Sequence, residues 1–266
     1  MLMHRRKLIG AFAAAALGLG LATVASAETL NVGAYPANPP WENKTESGDF
    51  EGFEVDLVKE IGKRLGAEIV FQDLGFQALF AATASGRVDM AISSISITNE
   101  RLQNQAFTQG YYDSDIALIA GDKTTLTGLA DMKGKVIGAI SASVGEAWIK
   151  ENTEKYGIKE FRGYNAQQEL LLDVASARLD GAVGDIAGFQ FAFTKMPGMK
   201  VVEAIPTGDK FAIMMKKGSP LLEKVNGAID AIKKDGTMAA LHKQWLGADA
   251  AADSAINTVM PIPLAQ

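Results

Sequence analysis

The 266-residue chain has no cysteine. That excludes disulfides, iron–sulfur clusters and thiolate zinc sites. Its two histidines, His4 and His242, are too far apart in sequence to suggest a metal site, and nothing points to a cofactor. Basic charge is scarce as well, with 26 Lys and Arg against 31 Asp and Glu and a net charge of −5. An acidic chain without a basic stripe is a poor binder of nucleic acid. No nucleophile–base arrangement, HExxH, phosphate loop or GxGxxG fingerprint occurs, which weakens an enzymatic reading. Past the N-terminus no apolar run is long enough to span a bilayer.

What is present looks globular: 48% apolar and 21% charged residues, enough for one large domain or two modest ones. The N-terminus differs. Basic Met1 to Lys7 precedes apolar Leu8 to Val24, and Ala25-Ser26-Ala27 fits a small-x-small cleavage site. Residues 1–27 are therefore expected to be a secretory signal peptide, leaving a mature chain that starts at Glu28. Losing Arg5, Arg6 and Lys7 and no acid moves the formal charge from −5 to −8.

The mature chain alternates strand-like and helix-like segments, which predicts α/β architecture. Leu30 to Ala34 and Glu68 to Phe71 read as strands. Between them Leu57, Val58, Ile61 and Leu65 share a helical face, with Gly66 as stop signal. Phe76 to Ser85 reads as a helix closed by Gly86, and Val88 to Ile92 as a third strand. A second unit starts near Lys135 with the strand Val136 to Ile140. "ASGRVDMAISS" (84–94) and "ASARLDGAVGD" (175–185) echo one another at a constant offset of 91. The echo suggests two similar lobes, with Ser94 and Asp185 at equivalent strand ends, where open α/β sheets bind ligands. The tail 249–266, rich in small residues, reads as loosely held.

The stretch "AISSISITNER" (91–101) carries the candidate chemistry. Ser94 and Ser96 point the same way if the chain stays extended. Thr98 can cap a following helix. Arg101 falls in that helix's first turn, where a cation opposes the helix dipole unless an anion is held there. A guanidinium grips a carboxylate through paired charge-assisted bonds. Asp185 at the other strand end reads either as a helix cap or as an acceptor for an ammonium. Arg101 and Asp185 facing one another would match the two ends of a zwitterion.

The chain resembles the bacterial periplasmic amino-acid-binding proteins of ABC importers over nearly all of Thr29 to Ala248. The motifs are "GDFEGFEVDLVKEIGKRLG", "SGRVDMAISSISITNERLQNQAFTQGYYDSD", "LTGLADMKGKVIGA", "ARLDGAVGD" and "KKDGTMAALHKQWLG". The resemblance implies a two-lobed clamshell fold. Lobe 1 would be 28–115 with 212–248 and lobe 2 would be 116–211, with crossovers near Ile116 to Ala120 and Lys210 to Ile213. It implies Arg101 on the ligand α-carboxylate and Ser94 and Ser96 on its polar ends. Asp185 would take the α-ammonium, the turn at Ser143 and Val144 would supply N–H donors, and Phe76 would form a pocket wall or ordinary core. The partners implied are an amino acid and a membrane permease with its ATPase, the chain acting as a periplasmic monomer.

The departures concern Tyr35, Asn38 and Trp41, which are themselves expected among the ligand-binding residues. Many relatives that bind basic amino acids carry an acid where Tyr35 stands, and many members carry an aromatic where Asn38 stands and phenylalanine where Trp41 stands. A cationic side chain would want a carboxylate nearby. A neutral or polar amino acid is therefore expected, with Asn38 offering an amide. Val144 replaces a common threonine. Two rival readings stay open: a periplasmic dehydratase acting on cyclohexadienyl acids, with Glu146 or Asp185 as acid or base, and a ligand-binding subunit for a signalling receptor.

Overall fold

The computed structural model describes residues 28–266, and the leader assigned to residues 1–27 lies outside the described residues. Two five-stranded sheets carry the fold. In the first, Thr29–Ala34 pairs in parallel with Glu68–Asp73 on one side and Met90–Ala91 on the other. Met214–Lys216 then runs antiparallel to Met90–Ala91, and Gln105–Phe107 closes the sheet. In the second, Val136–Ile140 lies between Glu160–Tyr164 and Gly181–Asp185, parallel to both. The long strands Tyr112–Gly121 and Met199–Phe211 follow in antiparallel order.

Parallel neighbours need crossover helices. Phe53–Leu65 and Phe76–Ser85 supply them in the first lobe, and Val144–Tyr156 and Gln167–Ala175 in the second. Leu57, Val58 and Ile61 form the buried stripe of the first helix. Gly66 and Gly86 stop their helices at φ 65° and 76°, a left-handed conformation that costs glycine little.

The echo at offset 91 is a structural repeat. Met90–Ala91 and Gly181–Asp185 each pair in parallel with the first strand of their own sheet. Asp89 accepts from the Asn31 N–H at 2.7 Å, and Asp180 accepts from the Val136 N–H at 2.8 Å. Gly86 and Ala177, equivalent positions, both take positive φ. The same short code thus builds the same strand entry twice, and Ser94 and Asp185 leave equivalent strand ends.

Two expectations need correction. The first crossing between lobes is not at Ile116 to Ala120. Those residues are buried in the second lobe, with Ile116, Leu118 and Ala120 in one core cluster and Ala117 and Ile119 in another. A strand covered on both faces reads as a continuous apolar run, and that is what this segment is. The crossing is the ribbon pairing Tyr112, Asp113 and Ser114 with Phe211, Lys210 and Asp209.

The tail is also not loose. Ala255 and Ile256 are buried, and the Ala255 N–H donates to Asp113 Oδ2 at 2.7 Å, on the crossing itself. Lys233 Nζ donates to the carbonyls of Gly110 and Thr258 and to Gln109 Oε1, and burial lowers its pKa to about 8. Small residues conceal this because the anchoring uses backbone groups. Deleting 249–266 is expected to cost about 3–5 kcal/mol and lower the melting temperature by roughly 10 °C in calorimetry. An unchanged melting temperature would show that the tail contributes nothing.

Candidate functional site

The site grows from the end of strand Met90–Ala91. Ser93 is buried, and its Oγ accepts the Tyr35 N–H at 2.9 Å and donates to Glu42 Oε1. Ser94 sits at φ 45°, unusual for a residue with a Cβ. Its N–H is held by both oxygens of Glu54, at 2.8 and 3.0 Å, and its Oγ accepts from Asn38 Nδ2 at 2.9 Å. The chain then turns through Ser96, which bridges to Phe211, and reaches Thr98. Thr98 caps the helix Asn99–Asn104 by accepting the Arg101 N–H at 3.2 Å.

Arg101 lies over the Phe80 ring, 5.0 Å from its centroid. Nη1 donates to the Ser96 carbonyl at 2.7 Å, and Nη2 donates across the cleft to the Ala142 carbonyl at 3.0 Å. Among the described residues no carboxylate lies within 4.0 Å of its guanidinium. Burial lowers its pKa to about 10, against the pull of Asp209 and Glu100. A cation this desolvated and this poorly paired is prepared for an anion.

The second lobe faces it with two helix N-termini. Ser143 caps Val144–Tyr156 by accepting the Glu146 N–H, while Glu146 accepts the Ala142 N–H at 2.5 Å and pairs with Lys150. The helix start and Glu146 thus bond reciprocally, as in a capping box but with the residue before the N-cap as donor, which keeps Glu146 occupied outside the cleft. Gly145 lets the helix start press on the neighbouring strand: a Cβ there would meet the Val183 carbonyl oxygen at 2.4 Å. Asp185 caps Ile186–Phe193, accepting from Ala187 N at 3.3 Å and Gly188 N at 2.8 Å. It also accepts from Trp41 Nε1 of the first lobe at 2.8 Å. Burial still pushes its carboxyl up to about 6.

These groups surround one cleft between the lobes. Arg101, Ser94, Ser96, Asp185, Ser143, Val144, Phe76, Asn38 and Tyr35 all line it. Trp41 does not: it is fully buried, packed edge-on against Phe53, Tyr112 and Phe211, and only its indole N–H reaches Asp185. Phe76 is both wall and core, lining the cleft and packing edge-on against Phe80. Tyr35 also ties the lobes together, its phenol oxygen accepting the Gln167 N–H at 2.9 Å. Burial raises the Tyr35 phenol above its usual range.

Sequence reasoning missed the lining residues Gln167, Leu170 and Phe189 and the acids Glu42 and Glu54 behind the serine rim. Leu170 and Phe189 look like ordinary helix-face residues. Glu54, in the first turn of its helix, looks like a dipole-favoured acid. Only the echo pointed near them, since it fixed which strand ends converge.

Trp41→Phe keeps the aromatic packing and removes one bond to a charged group, worth about 1.5–3 kcal/mol. It is expected to shift the lobes toward the open form by about tenfold or more. Dyes on one cysteine introduced in each lobe would report this by energy transfer, because the chain has no native cysteine to interfere. An unchanged distance distribution would mean the bond does not govern closure.

Two open α/β lobes, joined by a two-stranded crossing and closed over a cleft with one cation and one carboxylate, define a two-lobed solute-binding protein. The chain belongs to the bacterial extracellular solute-binding proteins, family 3, whose model matches residues 30–248. It is similar to the ABC transporter arginine-binding protein 1 of Escherichia coli K12, at 31% identity over 226 residues, covering 83% of this chain and 91% of the relative. The lysine/arginine/ornithine-binding periplasmic protein of the same organism is 30% identical over 247 residues, 87% of this chain and 95% of the relative. An ancestral arginine-binding protein bound to glutamine superposes with a TM-score of 0.78 at 31% identity, covering 84% of this chain and all of that one. Among the described residues no helix is long and apolar enough to cross a membrane, and no acid, histidine or cysteine cluster could hold a metal ion.

Proposed function

We propose that this chain is a periplasmic receptor that captures an amino acid by lobe closure and hands it to the permease and ATPase of an ABC importer. Its lobes are 28–115 with 212–248 and 116–211, apart from the crossing at Tyr112 to Ser114, and it acts as a monomer. Arg101 takes the α-carboxylate, with the Val144 N–H beside it; the Ser143 N–H, expected as a second donor, is already held by the Ile140 carbonyl at 3.2 Å. Asp185 takes the α-ammonium from the other lobe, and Ser94 and Ser96 bind the polar ends from the rim. Ligand contacts made to both lobes favour the closed form. Glu146 is spent on its helix cap, so the dehydratase reading keeps only Asp185 as acid or base.

The ligand's side chain is proposed to be neutral or polar. One observation carries this: among the described residues, apart from the Tyr35 phenol, the only ionisable groups lining the cleft are Arg101 and Asp185, which a zwitterion already neutralises. A second reading, a basic amino acid, has the names of the relatives in its favour. It would leave a second positive charge without a lining carboxylate.

A thermal-shift screen of the purified protein separates these readings. Neutral polar amino acids such as glutamine are expected to raise the melting temperature with ln of concentration, and their N-acetyl derivatives are not. Stabilisation by arginine, lysine or histidine alone would overturn the neutral reading. Stabilisation by no amino acid would overturn the function.

A further inference from the structure

Behind the serine rim lie two carboxyls that the proposed ligand chemistry does not use. Glu42 and Glu54 are both fully buried, on the strand Glu42–Lys44 and at the start of the helix Phe53–Leu65. They hold adjacent residues, Glu42 the Ser93 hydroxyl and Glu54 the Ser94 N–H, so the two carboxyls sit side by side and the charge on Glu54 raises Glu42. The titratable groups facing them are Tyr111, which donates its phenol proton to Glu54, Tyr35 near Glu42, and Asp185 across the cleft. Among the described residues no lysine or arginine pairs with either acid. Two buried carboxylates in contact cannot both stay ionised without a cation.

The hydrogen bonds decide where the proton sits. Glu54 accepts the Ser94 N–H on both oxygens and the Tyr111 hydroxyl on one, so it is surrounded by donors. Glu42 Oε1 accepts from Ser93, while Glu42 Oε2 has no partner as a bare oxygen. A proton on Oε2 turns an orphaned acceptor into a donor beside the Glu54 carboxylate. We propose that Glu42 and Glu54 share one proton, carried by Glu42 and donated to Glu54, and that this pair is the positioning device for the serine rim. Glu54 holds Ser94 in its left-handed turn, and Glu42 holds Ser93, which in turn receives the Tyr35 N–H. Burial raises both carboxyls, Glu42 well above its usual range, in the same sense.

The shared proton does not depend on which ligand is bound and is tested without one. Glutamine at 42 copies a protonated acid, donor and acceptor included. Glutamine at 54 puts an N–H₂ where donors already point. Infrared spectra of the ligand-free protein at pH 8 are expected to show a protonated-carboxyl band that disappears in Glu42→Gln. Amide exchange at Ser94 is expected to stay slow in Glu42→Gln and to become at least about tenfold faster in Glu54→Gln, which removes one acceptor. Absence of the band from the native protein, or its survival in Glu42→Gln, overturns the shared proton even if Glu54→Gln does not fold. Slow exchange at Ser94 in a folded Glu54→Gln overturns the positioning role.

Discussion

Arg101→Ala is expected to abolish amino-acid binding and leave the ligand-free protein at least as stable as before. The two halves of this result have different causes. In the complex, Arg101 and the ligand carboxylate form a water-excluded, charge-assisted pair. Removing one partner of such a pair costs about 2–5 kcal/mol, roughly 30- to 5,000-fold in affinity, because the other charge stays buried and unpaired. Without ligand the guanidinium has only the Ser96 and Ala142 carbonyls and the Phe80 face. Burial lowers its pKa to about 10, so the native state pays to keep it charged at neutral pH. Removing it lifts that cost. Arg101→Lys separates charge from shape: it restores the cation without the planar fork, and an affinity between the two is expected. Calorimetric titration with the amino acid found in the thermal screen, alongside melting of the ligand-free variants, measures both halves. Undiminished affinity in Arg101→Ala would remove the carboxylate assignment.

The features legible in the sequence were those that broke a local pattern. Serines at the end of an apolar strand, and a cation in a helix's first turn, had no local explanation. Thr98 capping that helix and Ser94 at the strand end follow from short-range rules, and the structure places them accordingly. Glu54 gave no such signal, because a first-turn acid is locally satisfied while its actual partner, Ser94, lies 40 residues away. Trp41 looked like a pocket aromatic. Its contact with Asp185 spans 144 residues, and only the closed pair of lobes turns its indole N–H into a link between them. The crossing and the tail were misread for a related reason. An apolar run says that a strand is buried and not in which lobe, and a tail anchored through backbone groups leaves no mark in its side chains. Local chemistry was readable; most partners distant along the chain were not.

Asp185→Asn is expected to weaken amino-acid binding at pH 7 by about 2–5 kcal/mol, roughly 30- to 5,000-fold, and to erase a pH dependence that the native protein shows. Without ligand, burial raises the Asp185 carboxyl to about 6 despite bonds from Trp41, Gly188 and Ala187. Only the ionised carboxylate attracts an ammonium. Below about pH 6 a proton must leave first, so native affinity falls up to about tenfold per pH unit. The stability of the ligand-free protein runs the other way. The folded pKa lies above the unfolded one, so the native state holds the extra proton between about pH 4 and 6, and this group's contribution declines as pH rises through that window. An ammonium bound at Asp185 favours the ionised form and opposes that decline. The melting-temperature gain from ligand should therefore be small near pH 4.5 and full near pH 7. Asparagine keeps a carbonyl acceptor for Trp41 and Gly188 but presents no charge, so the variant should lack the fall in affinity that Asp185 causes below about pH 6. Asp209, whose carboxyl is raised by burial beside Arg101, and His242, whose ring is lowered by burial, titrate in both proteins and cancel in the comparison. Parallel pH profiles for the native protein and Asp185→Asn would sink the ammonium role. So would equal losses for amino acids and for carboxylic acids that lack the ammonium.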